Sequence, residues 1–213
     1  MAKLPVKRRR RRYHHGDLRR GLIEAALKLI AERGPGGFTL REAARRAGVT
    51  HTAPYRHYAS REALLVAVAE DGFTGLRDAL EMAAKRTGED PLAKLEAMGT
   101  AYVRYAVTHP SHFRVMFGGV IVDKFSHSRL AEATAAAFTP LVETIAACQA
   151  AGYVRDGIAS DLAVPLLSTA HGFAWLLLDG QGSAAATDVA TIETRTAQVT
   201  DAVYEGLRAR RHT

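Results

Sequence analysis

A chain of 213 residues is long enough for one medium domain, or for a small domain joined to a larger one. With 47% of its residues apolar, it can build a substantial core rather than remain disordered. Its one cysteine, Cys148, excludes an intrachain disulfide and a cysteine-rich zinc site, and the basic N-terminus runs into no apolar stretch of the kind a secretory signal needs. The net charge of +7 is unevenly spread. Residues 1–61 hold 16 Lys and Arg against 4 Asp and Glu, whereas residues 62–213 hold 13 against 18. A basic head on a mildly acidic body points to a polyanionic partner at one end only.

In chain order, residues 1–12 form a self-repelling arm that ends in Lys7 and Arg8, Arg9, Arg10, Arg11 and Arg12, expected to be disordered when free. A first helix follows, capped by Asp17, with Leu18, Leu22, Ala25, Ala26, Leu29 and Ile30 on one stripe; Gly34-Pro35-Gly36-Gly37 ends it. Thr39-Leu40-Arg41-Glu42 is a capping box that opens a short helix, and Gly48 stops it. A third helix is expected from Thr50 to about His57. Pro54 removes a backbone donor there and disfavours helical geometry at Ala53, so this helix starts tightly wound or starts later than Thr50. Ser60 caps a fourth. Asp90-Pro91 opens another helix, Pro110 starts a short one, and residues 128–150 are helical with a kink at Pro140. Asp161 is read as the cap of a helix reaching Leu178. The run Leu162–Leu178 is the longest near-apolar stretch, and with Pro165, His171 and Gly172 inside it is expected to fall short of a bilayer span. A last helix carries Val189, Ile192, Thr196, Val199, Val203 and Leu207. The fold class is all-α, with about nine helices and no sheet.

Residues 39–58 have the length and punctuation of a helix-turn-helix. Ala44 supplies the small residue that close helix crossing needs, and Gly48 tolerates the positive φ of the tight turn. The second helix projects Thr50, His51, Thr52, Tyr55 and Arg56, whose hydroxyls, imidazole and guanidinium can meet base edges. A single such module is too small to be specific, so a two-fold dimer on a pseudo-palindromic operator is expected.

Tyr13-His14-His15-Gly16-Asp17-Leu18-Arg19, Phe38-Thr39-Leu40-Arg41-Glu42-Ala43-Ala44, Ala47-Gly48-Val49-Thr50 and Tyr55-Arg56-His57-Tyr58-Ala59-Ser60-Arg61-Glu62-Ala63-Leu64-Leu65 resemble the DNA-binding domain of the TetR family of regulators. His109-Pro110 and Thr169-Ala170-His171-Gly172-Phe173-Ala174-Trp175 resemble a C-terminal subclass with a His-Gly motif in its dimer-forming helix. The resemblance implies a three-helix DNA-binding domain over 13–60 and a helical ligand-binding and dimerisation domain over 61–213. It implies phosphate contacts from Thr39, Tyr55, His57 and Arg61, with Arg41, His51, Thr52 and Arg56 reading bases; Arg8–Arg12 would follow the backbone or enter the minor groove. Arg61 stands where the family usually has Lys, and keeps the charge.

An almost uniformly apolar helix must be covered on every side. The resemblance implies a four-helix dimer interface from the last two helices, with Leu166, Phe173, Leu177, Val199, Val203 and Leu207 in it. It also implies a small-molecule pocket in the body, for which Tyr102, Tyr105, Phe113, Met116, Phe117, Phe138, His171 and Trp175 are the candidates. Few charges lie among these stretches, so an uncharged or amphipathic effector is expected. No phosphate-cradling glycine loop, H-E-x-x-H or G-x-S-x-G supports an enzyme, and no metal or cofactor is expected; Pro110 breaks the helical face between His109 and His112. The favoured reading is a cytoplasmic, nucleoid-associated dimeric repressor released from its operator by a ligand, with no membrane partner. The competing readings are an activator or ligand-independent regulator of the same fold, and a sequence-nonspecific nucleic-acid or membrane-surface binder driven by the arginine arm.

Overall fold

The computed structural model describes residues 15–180 and 188–208. The arm Arg8–Arg12 lies outside them. Eight α-helices are present among the described residues, against about nine expected. The difference is the third helix, which is a single 3-10 turn, Ala53–Arg56, with Pro54 near its start. No strand occurs among the described residues; one isolated antiparallel bridge joins Val154 and Arg208. The chain divides into two compact units, up to Leu64 and from Leu65 onward, and the division falls inside a helix rather than at the expected 60/61.

In the first unit, α1 (His15–Arg33) begins before Asp17, which therefore sits in its first turn rather than at its cap. Leu22, Ala25, Ala26, Leu29 and Ile30 bury its apolar stripe, and Gly34 at φ +76 turns the chain out. α2 (Leu40–Arg46) opens with the complete capping box: Glu42 N donates to Thr39 Oγ1 at 3.2 Å, and Thr39 N donates to Glu42 Oε2 at 2.9 Å. Ala43 and Ala44 are fully buried where α2 meets α1. Gly48, at φ +74, has open space where a Cβ would stand, so glycine is there for its backbone and not for packing. Ion pairs clamp the two helices, Arg33 to Glu42 at 2.8 Å and Arg46 to Glu32.

α3 (Arg61–Arg86) starts in this unit and continues into the second. The body of the second unit is α4 (Pro91–Thr108), packed against α5 (Pro110–Phe117), α6 (Ser128–Ala150), α7 (Ala159–Leu178) and α8 (Val189–Leu207). Asp90 caps α4 through Leu92 N at 3.1 Å, and Asp188 caps α8 through Thr191 N at 2.9 Å. Asp161 lies in the first turn of α7, whose cap position is Ile158. With its extra turn, α7 is 20 residues long, and by length and composition it is able to cross a membrane, contrary to the sequence expectation. It packs on α4, α6 and α8, yet only 22% of its apolar window is buried within the chain. Leu166 and Leu207, expected at a dimer interface, are instead buried in this chain's own core with Leu95, Ile145, Cys148 and Leu162. Both side chains face inward from their helices. Burial pushes the Cys148 thiol up to about 11, so it is protonated and inert.

α3 approaches α4 and α5 on two glycines. A Cβ on Gly72 would lie 2.6 Å from Met116 Sδ, and one on Gly75 would lie 2.8 Å from Tyr105 Oη, whose hydroxyl donates to Gly72 O at 2.8 Å.

The first test follows from that contact. Gly75→Ala should raise helix propensity by about 1 kcal/mol, but displacing Tyr105 should cost more, about 1–3 kcal/mol. Chemical denaturation is expected to show net destabilisation; a gain in stability would refute the close approach. The second concerns acid. Arg33, then the Thr39 amide and hydroxyl, hold the Glu42 carboxyl below its ordinary value of 4.5, and Arg46 holds Glu32 below it too. Folded values below unfolded ones mean that this stabilisation is complete above pH 4.5 and is lost as pH falls through the folded values. Amide-exchange protection of α1 and α2, corrected for intrinsic rates, should fall in that acid range. Glu42→Gln should lower protection at neutral pH and flatten the acid dependence.

Candidate nucleic-acid interface and body cavity

The turn between α2 and the 3-10 segment is built by backbone accounting. Ala47 N, Gly48 N and Val49 N close onto Ala43 O, Arg45 O and Ala44 O at 2.9–3.1 Å. Pro54, having no N–H to offer, is buried, and its carbonyl accepts from His57 N at 2.8 Å and Tyr58 N at 2.9 Å. The residues on either side are thereby turned outward: Thr50, His51, Thr52, Tyr55 and Arg56 are all exposed. Thr50 Oγ1 and Thr52 Oγ1 are 3.3 Å apart. Tyr55 is 51% exposed. Tyr58, by contrast, is buried, with its hydroxyl donating to Arg19 O at 3.4 Å.

Charge on this unit separates into two classes. Arg33 and Arg46 are neutralised by Glu42 and Glu32. Arg41, Arg45 and Arg56 are exposed and form no ion pair among the described residues. Arg45 was not singled out from the sequence; exposure on α2 and the lack of a carboxylate are what mark it. Two expected phosphate ligands have structural duties as well. The Thr39 hydroxyl donates to Glu42 Oε2 at 3.1 Å within the capping box. Arg61 Nη1 donates to Gly36 O at 2.9 Å, tying the start of α3 to the loop after α1. His57 is half-buried.

The second unit holds a cavity of about 590 Å³, solvent at its mouth included. Leu80, Leu95, Met98, Phe138, Leu141 and Leu166 form apolar walls, with Tyr102 among them. Glu96, Thr200, Asp201 and Tyr204 are the other polar side chains of the lining. Of the residues expected to touch a ligand, Tyr102 and Phe138 line this cavity; Tyr105, Phe113, Met116, Phe117, His171 and Trp175 do not. Phe113, Phe117, His171 and Trp175 pack on one another, with Tyr102 at the edge of the cluster. Phe113 lies 4.8 Å from Phe117, 5.4 Å from His171 and 5.6 Å from Trp175, centroid to centroid, and Tyr105 stacks on His109 at 4.4 Å. Lys124 closes this cluster, with Nζ donating to Met116 O at 2.6 Å and lying over the Phe73 and Phe117 rings. Burial holds its amine below its ordinary value.

His171 is satisfied by side chains, not by backbone. Trp175 Nε1–H donates to its Nε2 at 2.9 Å, and its Nδ1 lies 2.8 Å from Tyr102 Oη. An indole nitrogen can only donate, so Nε2 must accept. Burial, and then the charge of Lys124, lower the His171 value and favour the neutral ring. A neutral ring that accepts at Nε2 carries its proton at Nδ1 and donates it to Tyr102 Oη. The hydroxyl proton of Tyr102 is then left for a further acceptor, and Tyr102, 3% exposed, is part of the cavity wall. Elsewhere, His112 Nε2 meets Asp71 Oδ2 at 3.0 Å, a carboxylate brought from α3.

Comparison with known proteins gives the architecture a family. Residues 22–68 match the model described as bacterial regulatory proteins, tetR family, and residues 95–202 match that of the tetracyclin repressor-like C-terminal domain. An HTH-type transcriptional regulator of Mycobacterium tuberculosis is 28% identical over 101 residues, 47% of this chain and 43% of that protein, so the match spans less than half of the relative's length. A Rhodococcus sp. RHA1 protein of unknown function has a solved structure with 35% identity and a TM-score of 0.79, over 94% of this chain and all of that one. A tetR-family regulatory protein from Rhodococcus RHA1 superposes with a TM-score of 0.73 at 19% identity, over 90% of this chain and 97% of that one. The paired domains make this a DNA-binding regulator rather than an enzyme, and the chain belongs to the TetR family of bacterial transcriptional regulators.

Proposed function

We propose that this protein is a cytoplasmic homodimeric repressor that leaves a pseudo-palindromic operator when a small apolar or amphipathic molecule fills the body cavity. The observation that carries this reading is the reach of α3. Its first residues belong to the DNA-reading unit, and Leu80, on the same unbroken helix, lines the cavity. A ligand that packs against Leu80 favours one position of α3 over another, and only such differential contact can shift an equilibrium. Arg41, His51, Thr52 and Arg56 read bases, while Thr39, Arg45, Tyr55, His57 and Arg61 hold phosphates, and the arm Arg8–Arg12 adds sequence-blind affinity.

The second copy covers the open face of α7. Val164 is 59% and Leu176 48% exposed, and Ser168 and Gly172 complete the stripe at helical spacing. A Cβ on Gly172 would meet nothing within 4 Å inside the chain, so packing within the chain does not require glycine there; a closely crossing helix from a second copy would. Phe173, Leu177, Val199 and Val203 flank that contact. The exposed hydroxyl of Ser168 on that stripe favours a protein partner over lipid.

The test uses the full chain with Val164→Arg and Leu176→Arg together. Sedimentation should move from dimer to monomer at micromolar concentration, and fluorescence anisotropy against competitor DNA should lose the preference for operator while weak, salt-sensitive binding persists. A variant that stays dimeric, or a monomer that keeps full specificity, would overturn the proposal.

A further inference from the structure

The cavity differs from a plain apolar pocket at its rim. Glu96 on α4 and Asp201 on α8 both line it, both are exposed, and neither forms an ion pair among the described residues. Lys94, Arg208 and Arg104 are paired with other carboxylates: Lys94 with Glu89 at 3.5 Å, Arg208 with Glu205 at 3.2 Å, and Arg104 with Glu193. Arg86, which borders a neighbouring groove shared by Glu96 and Asp201, rests its Nη2 against Met82 Sδ at 3.4 Å. Tyr204, also in the lining, adds an aromatic ring to the two carboxylates. Carboxylates beside an aromatic ring are the surroundings that a protonated or quaternary amine seeks.

Resting on the reading that this cavity is the effector site, we propose that its effector is an amphipathic cation: an apolar body against Leu80, Met98, Phe138 and Leu166, with an ammonium group between Glu96, Asp201 and the Tyr204 ring. An anionic amphiphile would meet two carboxylates that have no ion-pair partner among the described residues. The state of Glu96 supports this. Its carboxyl is held above its ordinary value, first by partial burial and then by the charges of Asp201 and Asp90, so a cation arriving there relieves existing repulsion. Deeper in, the free hydroxyl proton of Tyr102 offers one hydrogen bond to an ether, carbonyl or hydroxyl oxygen on the same molecule.

The experiment is calorimetric titration of the intact protein with decylamine, decanol and decanoate, each below its aggregation threshold, together with release of labelled operator. Decylamine should bind about tenfold more tightly than decanol, and decanoate more weakly than either. In the double variant Glu96→Gln with Asp201→Asn, decylamine and decanol should bind equally. Decanoate binding as tightly as decylamine, or an amine preference that survives in the double variant, would overturn the assignment of charge. If decanol binds and releases operator while the amine has no advantage, this inference fails and the effector-site reading stands. If none of the three binds, both fail.

Discussion

The hydrogen-bond chain from Trp175 through His171 to Tyr102 is the constraint on which the body rests. It runs between α7 and the central helix α4, and it fixes how α7 is turned about its axis. With His171 and Trp175 on the inner side, Val164, Ser168, Gly172 and Leu176 are left outward. The same chain consumes the His171 proton on Tyr102 Oη and so decides which polar hydrogen the cavity wall can offer. One buried relay thus sets the α7 face left for a partner, the polarity of the inner wall and the packing of the ring cluster around Phe113. Polar groups placed so deep are costly unless they are satisfied; both ring nitrogens of His171 are, and the one donor left over is the Tyr102 hydroxyl, which lies in the cavity wall.

The DNA-reading unit achieves a comparable economy with one proline. Pro54 shortens the recognition segment to a single 3-10 turn, yet its carbonyl still receives two amides and its ring fills the core. The short turn presents Thr50, His51, Thr52, Tyr55 and Arg56 without a long helix behind them. Rigidity comes instead from the capping box and from the ion pairs between α1 and α2.

What the sequence made legible was local. The capping box at Thr39 and Glu42, the stop at Gly48, the Asp90-Pro91 start and the shortening effect of Pro54 each depend on a few neighbouring residues, so reading them required no tertiary knowledge. The caps assigned to Asp17 and Asp161 failed because each helix starts earlier, a shift of one turn or less that flanking residues do not reveal. The site residues of the body were harder. Whether Leu166 faces a partner or its own core, and whether Phe113 touches a ligand or Trp175, depends on the rotation of four packed helices. Periodicity gives the stripe but not its neighbour. Glu96 and Asp201 look like parts of solvated helix faces in the sequence and gain meaning only where α4 and α8 bring them to one rim.

The most direct measurement is selection of bound duplexes from a random pool by the full-length protein at about 0.15 M salt, followed by anisotropy on the enriched sequence. The expected result is a two-fold symmetric site with half-sites about one helical turn apart, bound at least ~10³ more tightly than unrelated DNA at the same salt. No enriched sequence, or a single asymmetric half-site, would contradict it.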